Sequence, residues 1–218
     1  MVEKAKDFLS AVKRAKEVSQ QRKFRQSVEI TIVLKDIDPK KPEGKISEEV
    51  VLPHYPGEPK KVVVFADGEL ARKAREAGAA QLIGRAEIEE LQKDRKRAKK
   101  LAENFDFSIA QADYMVLIGK ALGPVFGTRG KMPKPITPTA DPAPLIERLK
   151  RSVRIANKEQ LALNAKIGVE SMSDEQLAAN AKAILDAVER KLGGDLTKVS
   201  SVRIKTTMGK PVEVEVQA

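Results

Sequence analysis

The end of the chain contains a β-hairpin that cannot fold by itself. Val199–Lys205 and Val212–Val216 are rich in β-branched residues, and the second segment alternates apolar with charged side chains, which predicts a strand with one buried face. The turn of this hairpin is Thr206–Pro211. Because a two-stranded hairpin is at best marginally stable in water, it needs sheet partners from elsewhere in the chain. The expected partners are the strands near Val28 and Leu161.

The middle of the chain has a different pattern. Predicted strands alternate with predicted helices, which is typical of a parallel sheet covered by helices in a three-layer α/β unit. These elements are predicted at Lys61–Ala66, Glu69–Ala77, Gln81–Ile83, Ala86–Asn104 and Tyr114–Ile118, before a loop-like stretch from Leu122 to Pro144.

The two ends of the chain are expected to form one domain around the closing hairpin. We predict an α+β split domain made of residues 1–58 and 157–218, with the α/β domain inserted as residues 59–156. Linkers near Pro56–Pro59 and Arg151–Asn157 would act as a hinge. The split domain is predicted to contain helices at Val2–Val18 and Asp174–Leu192 and strands at Val28–Leu34, Glu48–Leu52 and Leu161–Ile167.

The amino-acid composition limits the partners and the chemistry that the protein can have. Lys and Arg number 41 against 31 Asp and Glu, a net charge of +10 that favours RNA, DNA or an acidic membrane as partner. The sequence has no Cys and one His, which excludes disulfides, thiolate nucleophiles and Cys/His zinc sites. We expect a cytosolic protein that contacts no membrane, since there is no apolar segment of membrane-spanning length and no secretory signal. The high charged fraction fits a hot habitat.

A nucleotide-dependent enzyme is the main alternative. The stretch Tyr114–Ala140 has no acidic residue but contains Lys120, Lys131 and Lys134, so it could hold phosphate. However, Gly127-Thr-Arg-Gly-Lys-Met does not fit a phosphate-binding loop. Neither His54 nor any carboxylate pair has a setting that indicates catalysis. We therefore expect no catalytic residues, no metal and no cofactor.

Three features could contact a polyanion. Lys93–Lys100 has six cations in eight residues on a predicted helix, and a solvated helix face is favoured there over a binding stripe. Lys23 and Phe24 place a cation and a ring just before a strand, although these two residues by themselves favour a Phe24 that only anchors the strand in the core. In the hairpin turn, Thr207 offers a hydroxyl, Met208 an adaptable apolar surface, Gly209 an approachable backbone and Lys210 a charge. This set suits folded RNA, although an ordinary hairpin turn explains the same residues equally well.

Several segments closely resemble one family, that of ribosomal protein L-one, the first-numbered protein of the large ribosomal subunit, in its archaeal form. The matching segments span nearly the whole chain in the expected order, and together they are specific. They are Arg22–Phe24, Leu122–Pro124, Gly130–Pro133, Lys166–Gly168, Met172–Asn180 and Ser201–Gly209.

The resemblance implies a function as well as a fold. It implies an RNA-binding split domain with an inserted Rossmann-like domain, and a structural role on the cytoplasmic ribosome. The implied partner is large-subunit ribosomal RNA at the mobile stalk beside the tRNA exit site, where the protein assists the release of deacylated tRNA. The resemblance further implies repression of translation through the protein's own messenger RNA. The free protein is expected to be a monomer.

The resemblance also implies which residues bind RNA. The family's RNA-recognition surface falls on Phe24, Ser201, Thr207, Met208 and Gly209, with Lys23, Ser27, Lys166 and Gly168 in neighbouring matching segments. This sequence departs from many relatives at Lys210, which stands between the glycine and the proline of the turn. A second, weaker RNA contact is hypothesised at Lys131 and Lys134, and binding to duplex DNA remains a further alternative.

Overall fold

The chain divides into two compact units, one made of residues 1–58 and 151–218 and the other of residues 59–150. The computed structural model describes residues 3–38, 44–157 and 160–215. Both units combine helices with sheets, so the mixed α and β class predicted from the sequence is confirmed. No helix within these described ranges is long and apolar enough to cross a membrane.

A five-stranded sheet forms the centre of the first unit. Its strand order is β1-β11-β10-β2-β9, so the closing hairpin pairs with β2, which in turn pairs with β9. Side chains along β2 and β10 alternate between buried and partly exposed, and two helices, α1 and α7, cover the buried face. The elements are β1 (Glu3–Ala5), α1 (Phe8–Glu17), β2 (Ser27–Leu34), β9 (Ala162–Val169), α7 (Asp174–Lys191), β10 (Val199–Thr206) and β11 (Val212–Val214).

A second, two-stranded sheet pairs β3 (Ser47–Val51) with β8 (Ser152–Ala156) in the same unit. A buried asparagine on α7 holds the segment that follows β3. The side chain of Asn180 accepts a hydrogen bond from the His54 N–H and donates to the carbonyls of His54 and Ile167. Asn180 is completely buried, and these bonds satisfy its amide.

The second unit is a parallel four-stranded sheet in the order β5-β4-β6-β7, with helices on both faces. Apolar residues of β4 and β6 pack against α3, α4 and α5 on one face and against α2 and α6 on the other. The elements are β4 (Val62–Phe65), α2 (Gly68–Glu76), β5 (Gln81–Ile83), α3 (Arg85–Lys93), α4 (Arg95–Asn104), β6 (Phe107–Gln111), α5 (Met115–Phe126), β7 (Lys134–Ile136) and α6 (Ala143–Lys150).

One predicted strand is a helix. The prediction of a strand at Tyr114–Ile118 is wrong, because α5 begins at Met115, and the predicted loop Leu122–Pro144 starts with the rest of that helix and contains β7. The buried residues of α5 are spaced as on a helix face, which a short apolar run does not reveal by itself. These residues are Ile118, Leu122, Val125 and Phe126.

Three further boundaries differ from the sequence-based predictions. The charged helix predicted over Ala86–Asn104 is two helices, because Asp94 leaves the helical conformation and its carboxylate caps the second one. The predicted helix Val2–Val18 begins only at Phe8, since Glu3–Ala5 pairs with β11. Ser152–Ala156 is a strand paired with β3, so residues 151–156 belong with the chain ends and are not a linker.

We predict that Asn180→Ala lowers the free energy of unfolding by about 2–3 kcal/mol, because the His54 N–H and the buried Ile167 carbonyl lose their partner. Chemical denaturation monitored by circular dichroism measures the change. Lys182→Ala, an exposed position on the same helix, is the control and should change stability by less than about 0.5 kcal/mol. Equal effects of the two substitutions would contradict this role of Asn180.

Candidate nucleic-acid interface

One face of the five-stranded sheet is left uncovered by the helices of the described residues. Odd-numbered residues of β2, and of β10 from Ser201 onward, are partly exposed on this open face, whereas the even-numbered residues between them are buried. Cross-strand register places Lys205 beside Glu29 and Glu29 beside Lys166, with Arg203 bonded to Glu213 at 3.2 Å. The open face is therefore polar and carries both signs of charge.

The hairpin turn is fixed at one end of this face by Thr207. Its N–H donates to the Ser27 carbonyl at 3.0 Å, and its hydroxyl oxygen accepts from the Ser27 N–H at 3.0 Å. The same hydroxyl donates to the Ser27 carbonyl at 3.3 Å. Thr207 thus extends the β10–β2 ladder with its side chain, and its hydroxyl hydrogen is used inside the protein.

Beneath the turn lies a buried glutamine, Gln26, which is 1% exposed. Its Oε1 accepts a hydrogen bond from the Met208 N–H at 3.2 Å. Its Nε2 lies within hydrogen-bond distance of Ser19 Oγ, the Gln20 carbonyl and Glu170 Oε2. One side chain therefore connects the turn to two other segments of the chain.

The turn uses its backbone donors internally and exposes its apolar side chain. The N–H groups of Thr207, Met208 and Gly209 donate to Ser27, Gln26 and Thr206 respectively. Gly209 is required by close approach, because an added Cβ would collide with the Thr206 hydroxyl. The side chain of Met208 is 60% exposed, a large exposure for an apolar residue held on a fixed backbone.

Eight of the nine residues in the predicted site lie on or beside the open face. Ser27, Lys166, Ser201 and Thr207 share the open face, and Met208 and Gly209 form the turn at its end. Lys23 and Phe24 are exposed in the segment that leads into β2, with Phe24 at 49% exposure. Ser201 pairs with Val33, six residues along β10 from Thr207 and therefore about 20 Å away.

Gly168 lies apart from the others. A Cβ at this position would lie 2.6 Å from Met172 Sδ and closer still to Leu177 Cδ2, so the glycine faces the helix-covered side of the sheet. Its structural role is to let α7 pack close to β9.

The sequence alone did not indicate Gln26, because a polar residue among basic neighbours has the composition of a surface segment.

The side chain of Lys131, which was hypothesised to contact RNA, makes its contacts within the second unit. Its ammonium donates to the carbonyls of Ala102 and Phe105 at the end of α4 and lies 5.3 Å from the centre of the Phe105 ring. Burial lowers the pKa of Lys131. The lysine therefore caps a helix, and its ammonium is engaged inside the protein rather than presented to RNA.

At the carboxyl edge of the parallel sheet, Asp67 occupies the turn after β4. Tyr114 Oη donates to its carboxylate at 2.5 Å and the Arg85 N–H at 3.0 Å, and these bonds lower the pKa of Asp67. Burial, followed by the bond to Asp67, raises the pKa of Tyr114 from 10.0 to about 12. A carboxylate at this point repels phosphate, which argues against a dinucleotide site.

We predict that Gln26→Leu destabilises the first unit by about 2–3 kcal/mol, because the Met208 N–H and the Glu170 carboxylate lose a buried partner. Amide hydrogen exchange at Met208 should also become faster in the absence of denaturant. This effect is local, because the turn can open without unfolding of the whole unit. Gln20→Ala, at an exposed position in the same segment, serves as the control. Unchanged exchange at Met208 in Gln26→Leu would exclude the proposed support of the turn.

A second prediction concerns pH. The stabilisation from the Tyr114–Asp67 bond requires ionised Asp67 and protonated Tyr114, so it should be present from about pH 4 to about pH 10. It should be lost as the pH falls through the lowered pKa of Asp67, and again as it rises through about 12 for Tyr114. Denaturation of the wild type and Tyr114→Phe across pH tests this. A stability difference independent of pH would contradict it.

Comparison with known proteins identifies the family. Residues 13–210 match the model of the ribosomal protein L1p/L10e family. The chain is 45% identical over 208 residues to large ribosomal subunit protein uL1 of Methanothermobacter thermautotrophicus, covering 95% of this chain and 98% of that protein. It is 47% identical to the Methanobrevibacter smithii protein of the same name and 46% to that of Pyrococcus horikoshii, with coverage of at least 95% on both sides. The chain therefore belongs to the ribosomal protein L1p/L10e family.

Proposed function

We propose that this protein is a structural constituent of the large ribosomal subunit that binds ribosomal RNA through the open sheet face and the turn at one end of it. The recognition surface consists of Lys23, Phe24, Ser27, Lys166, Ser201, Thr207, Met208 and Gly209. The observation that carries the proposal is the exposed Met208 on a turn whose backbone is fixed from below by Gln26. Family membership supplies the ribosome as the setting, and the family is in general non-enzymatic.

The turn is suited to RNA sugars more than to phosphates. The N–H groups of Thr207, Met208 and Gly209 are bonded internally, so these three residues form no donor cradle for an anion. Thr207 donates its hydroxyl hydrogen to Ser27 and keeps a free lone pair, so it can accept a hydrogen bond from a ribose 2′-hydroxyl. Carbonyl oxygens of the turn are acceptors of the same kind.

Apolar side chains would strengthen these contacts. Met208 and Phe24 are both about half exposed or more, and covering them with RNA would exclude water from the neighbouring hydrogen bonds. Phe24 can also stack on an unpaired base or a sugar. Phosphate attraction would come from cations in the segment before β2, where Arg22, Lys23 and Arg25 are all exposed.

The finer role follows from the family and forms part of the proposal. The protein would bind the helical junction of the mobile stalk beside the tRNA exit site and assist the release of deacylated tRNA. It would also repress its own messenger RNA through a similar RNA fold. In both cases the same recognition surface would be used, so ribosomal RNA and the messenger should compete for it.

We predict that Met208→Ala weakens binding to a large-subunit ribosomal RNA fragment containing the junction by about 1–2 kcal/mol, roughly tenfold in Kd. The free energy of unfolding should hardly change, because the side chain is mostly exposed in the free protein. Met132→Ala, an exposed methionine of the second unit, is the matched control and should bind like the wild type. Filter binding measures both affinities.

Two outcomes would contradict the proposal. Equal affinities of Met208→Ala and the wild type would remove the turn from the interface. Binding to duplex DNA as tight as to the junction RNA would favour a general basic DNA-binding protein, since DNA lacks the 2′-hydroxyls that Thr207 would recognise. Calorimetry with ATP tests the nucleotide-binding alternative, which requires saturable binding in the absence of RNA.

A further inference from the structure

Helix α4 carries cations where an isolated helix would not be expected to have them. Its first turn contains Arg95, Lys96 and Arg97 and no acidic residue, and its last turn contains no cation. The helix dipole disfavours positive charge at the N-terminal end and favours it at the C-terminal end. The arrangement is therefore locally unfavourable, a kind of inconsistency that is found at functional surfaces.

The protein neutralises some of these charges but leaves others open. Arg97 pairs with Glu87 and Glu90 of α3, each at 3.2 Å. The one carboxylate on α4 itself, Glu103, is bonded by Arg129 at 3.3 Å. In the part of the chain that the structure describes, no ion-pair partner is present for four remaining cations, Arg95, Lys96, Lys99 and Lys100.

Three of these four residues lie together on the outward side of the helix. The buried residues Ala98, Leu101 and Ala102 define the inner side. Lys96, Lys99 and Lys100 are all exposed, and Lys96 precedes the other two by three and four residues, so its Cβ lies about 5–6 Å from each of theirs. Like charges at this spacing destabilise a helix, and a bound polyanion would remove that repulsion.

Three of the five cations on helices α2 and α3 of the same unit are paired within their own helix. On α2 and α3, Arg72, Lys73 and Arg85 each have a glutamate one turn away, at 3.9, 2.9 and 3.5 Å respectively. Arg75 of α2 and Lys93 of α3 are the other two, and neither has an ion-pair partner among the described residues. Helix α4 therefore differs in having four unpaired cations, three of them on one side of a single helix.

We propose that the outward side of α4, with Lys96, Lys99 and Lys100 and the adjacent Arg95, binds the phosphate backbone of double-helical RNA without reading its sequence. The choice of RNA as the polyanion rests on the proposed function, while the surface itself is defined by its unpaired charge. The second unit thereby has an RNA contact of its own, separate from the recognition surface. Long lysine side chains suit this task as mobile point charges.

The test uses the full chain and a 20-base-pair RNA duplex that lacks the ribosomal junction. In the variant Lys96→Gln/Lys99→Gln/Lys100→Gln we expect affinity to fall roughly tenfold at about 0.1 M salt, and the salt dependence log Kd against log salt to flatten by about one unit per lysine. The melting temperature should not fall, because like-charge repulsion is relieved and Gln matches Lys in helix propensity.

The matched control is Arg72→Gln/Lys73→Gln/Arg85→Gln, which removes the same charge from the paired cations of the same unit. It should retain the wild-type salt dependence. An unchanged slope in the α4 variant, or an equal loss in the control, would overturn the inference. The two proposals are tested with different RNAs. If Met208→Ala does not weaken binding to the junction RNA, the recognition surface is rejected. Binding of the α4 variant to the duplex tests the α4 surface alone.

Discussion

The pairing of β2 with strands from the far end of the sequence is the constraint on which the first unit depends. β2 bonds to β10 on one edge and β9 on the other, and these ladders join residues up to 180 positions apart. A free hairpin of β10 and β11 would be marginal, and the ladder to β2 makes it part of a sheet. The same pairing places the turn after β10 beside the segment that precedes β2.

That juxtaposition creates the buried polar network around Gln26. Burying a glutamine is favourable only when its hydrogen bonds are satisfied, and here the partners come from three segments of the chain. The network fixes the turn through the Met208 N–H, while the N–H groups of Thr207 and Gly209 are bonded to Ser27 and Thr206. What is left for a partner is a set of hydrogen-bond acceptors and an exposed methionine, a surface that complements ribose hydroxyls better than phosphate groups.

The second unit shows that a lysine's role is set by its neighbours. Lys131 caps α4 through two carbonyls, whereas Lys96, Lys99 and Lys100 of α4 itself have no described partner. All of them belong to basic stretches of the sequence. Helix termini and neighbouring glutamates bind some of the lysine and arginine side chains, and the unpaired ones on α4 form the surface proposed to bind RNA.

The sequence by itself determined the strands with clear alternation, the long helix after Ser173, the parallel unit in the middle and the family, because periodicity and motif order are local properties of a chain. The residues of the RNA-binding site stay a prediction, and it is the structure that brings Ser27, Lys166 and Ser201 onto one face. Only the tertiary structure decided that Tyr114–Ile118 begins a helix, that Gly168 faces α7, and that Gln26 is buried while Lys131 is a cap. Each of these depends on partners distant in sequence, whose approach no local pattern records.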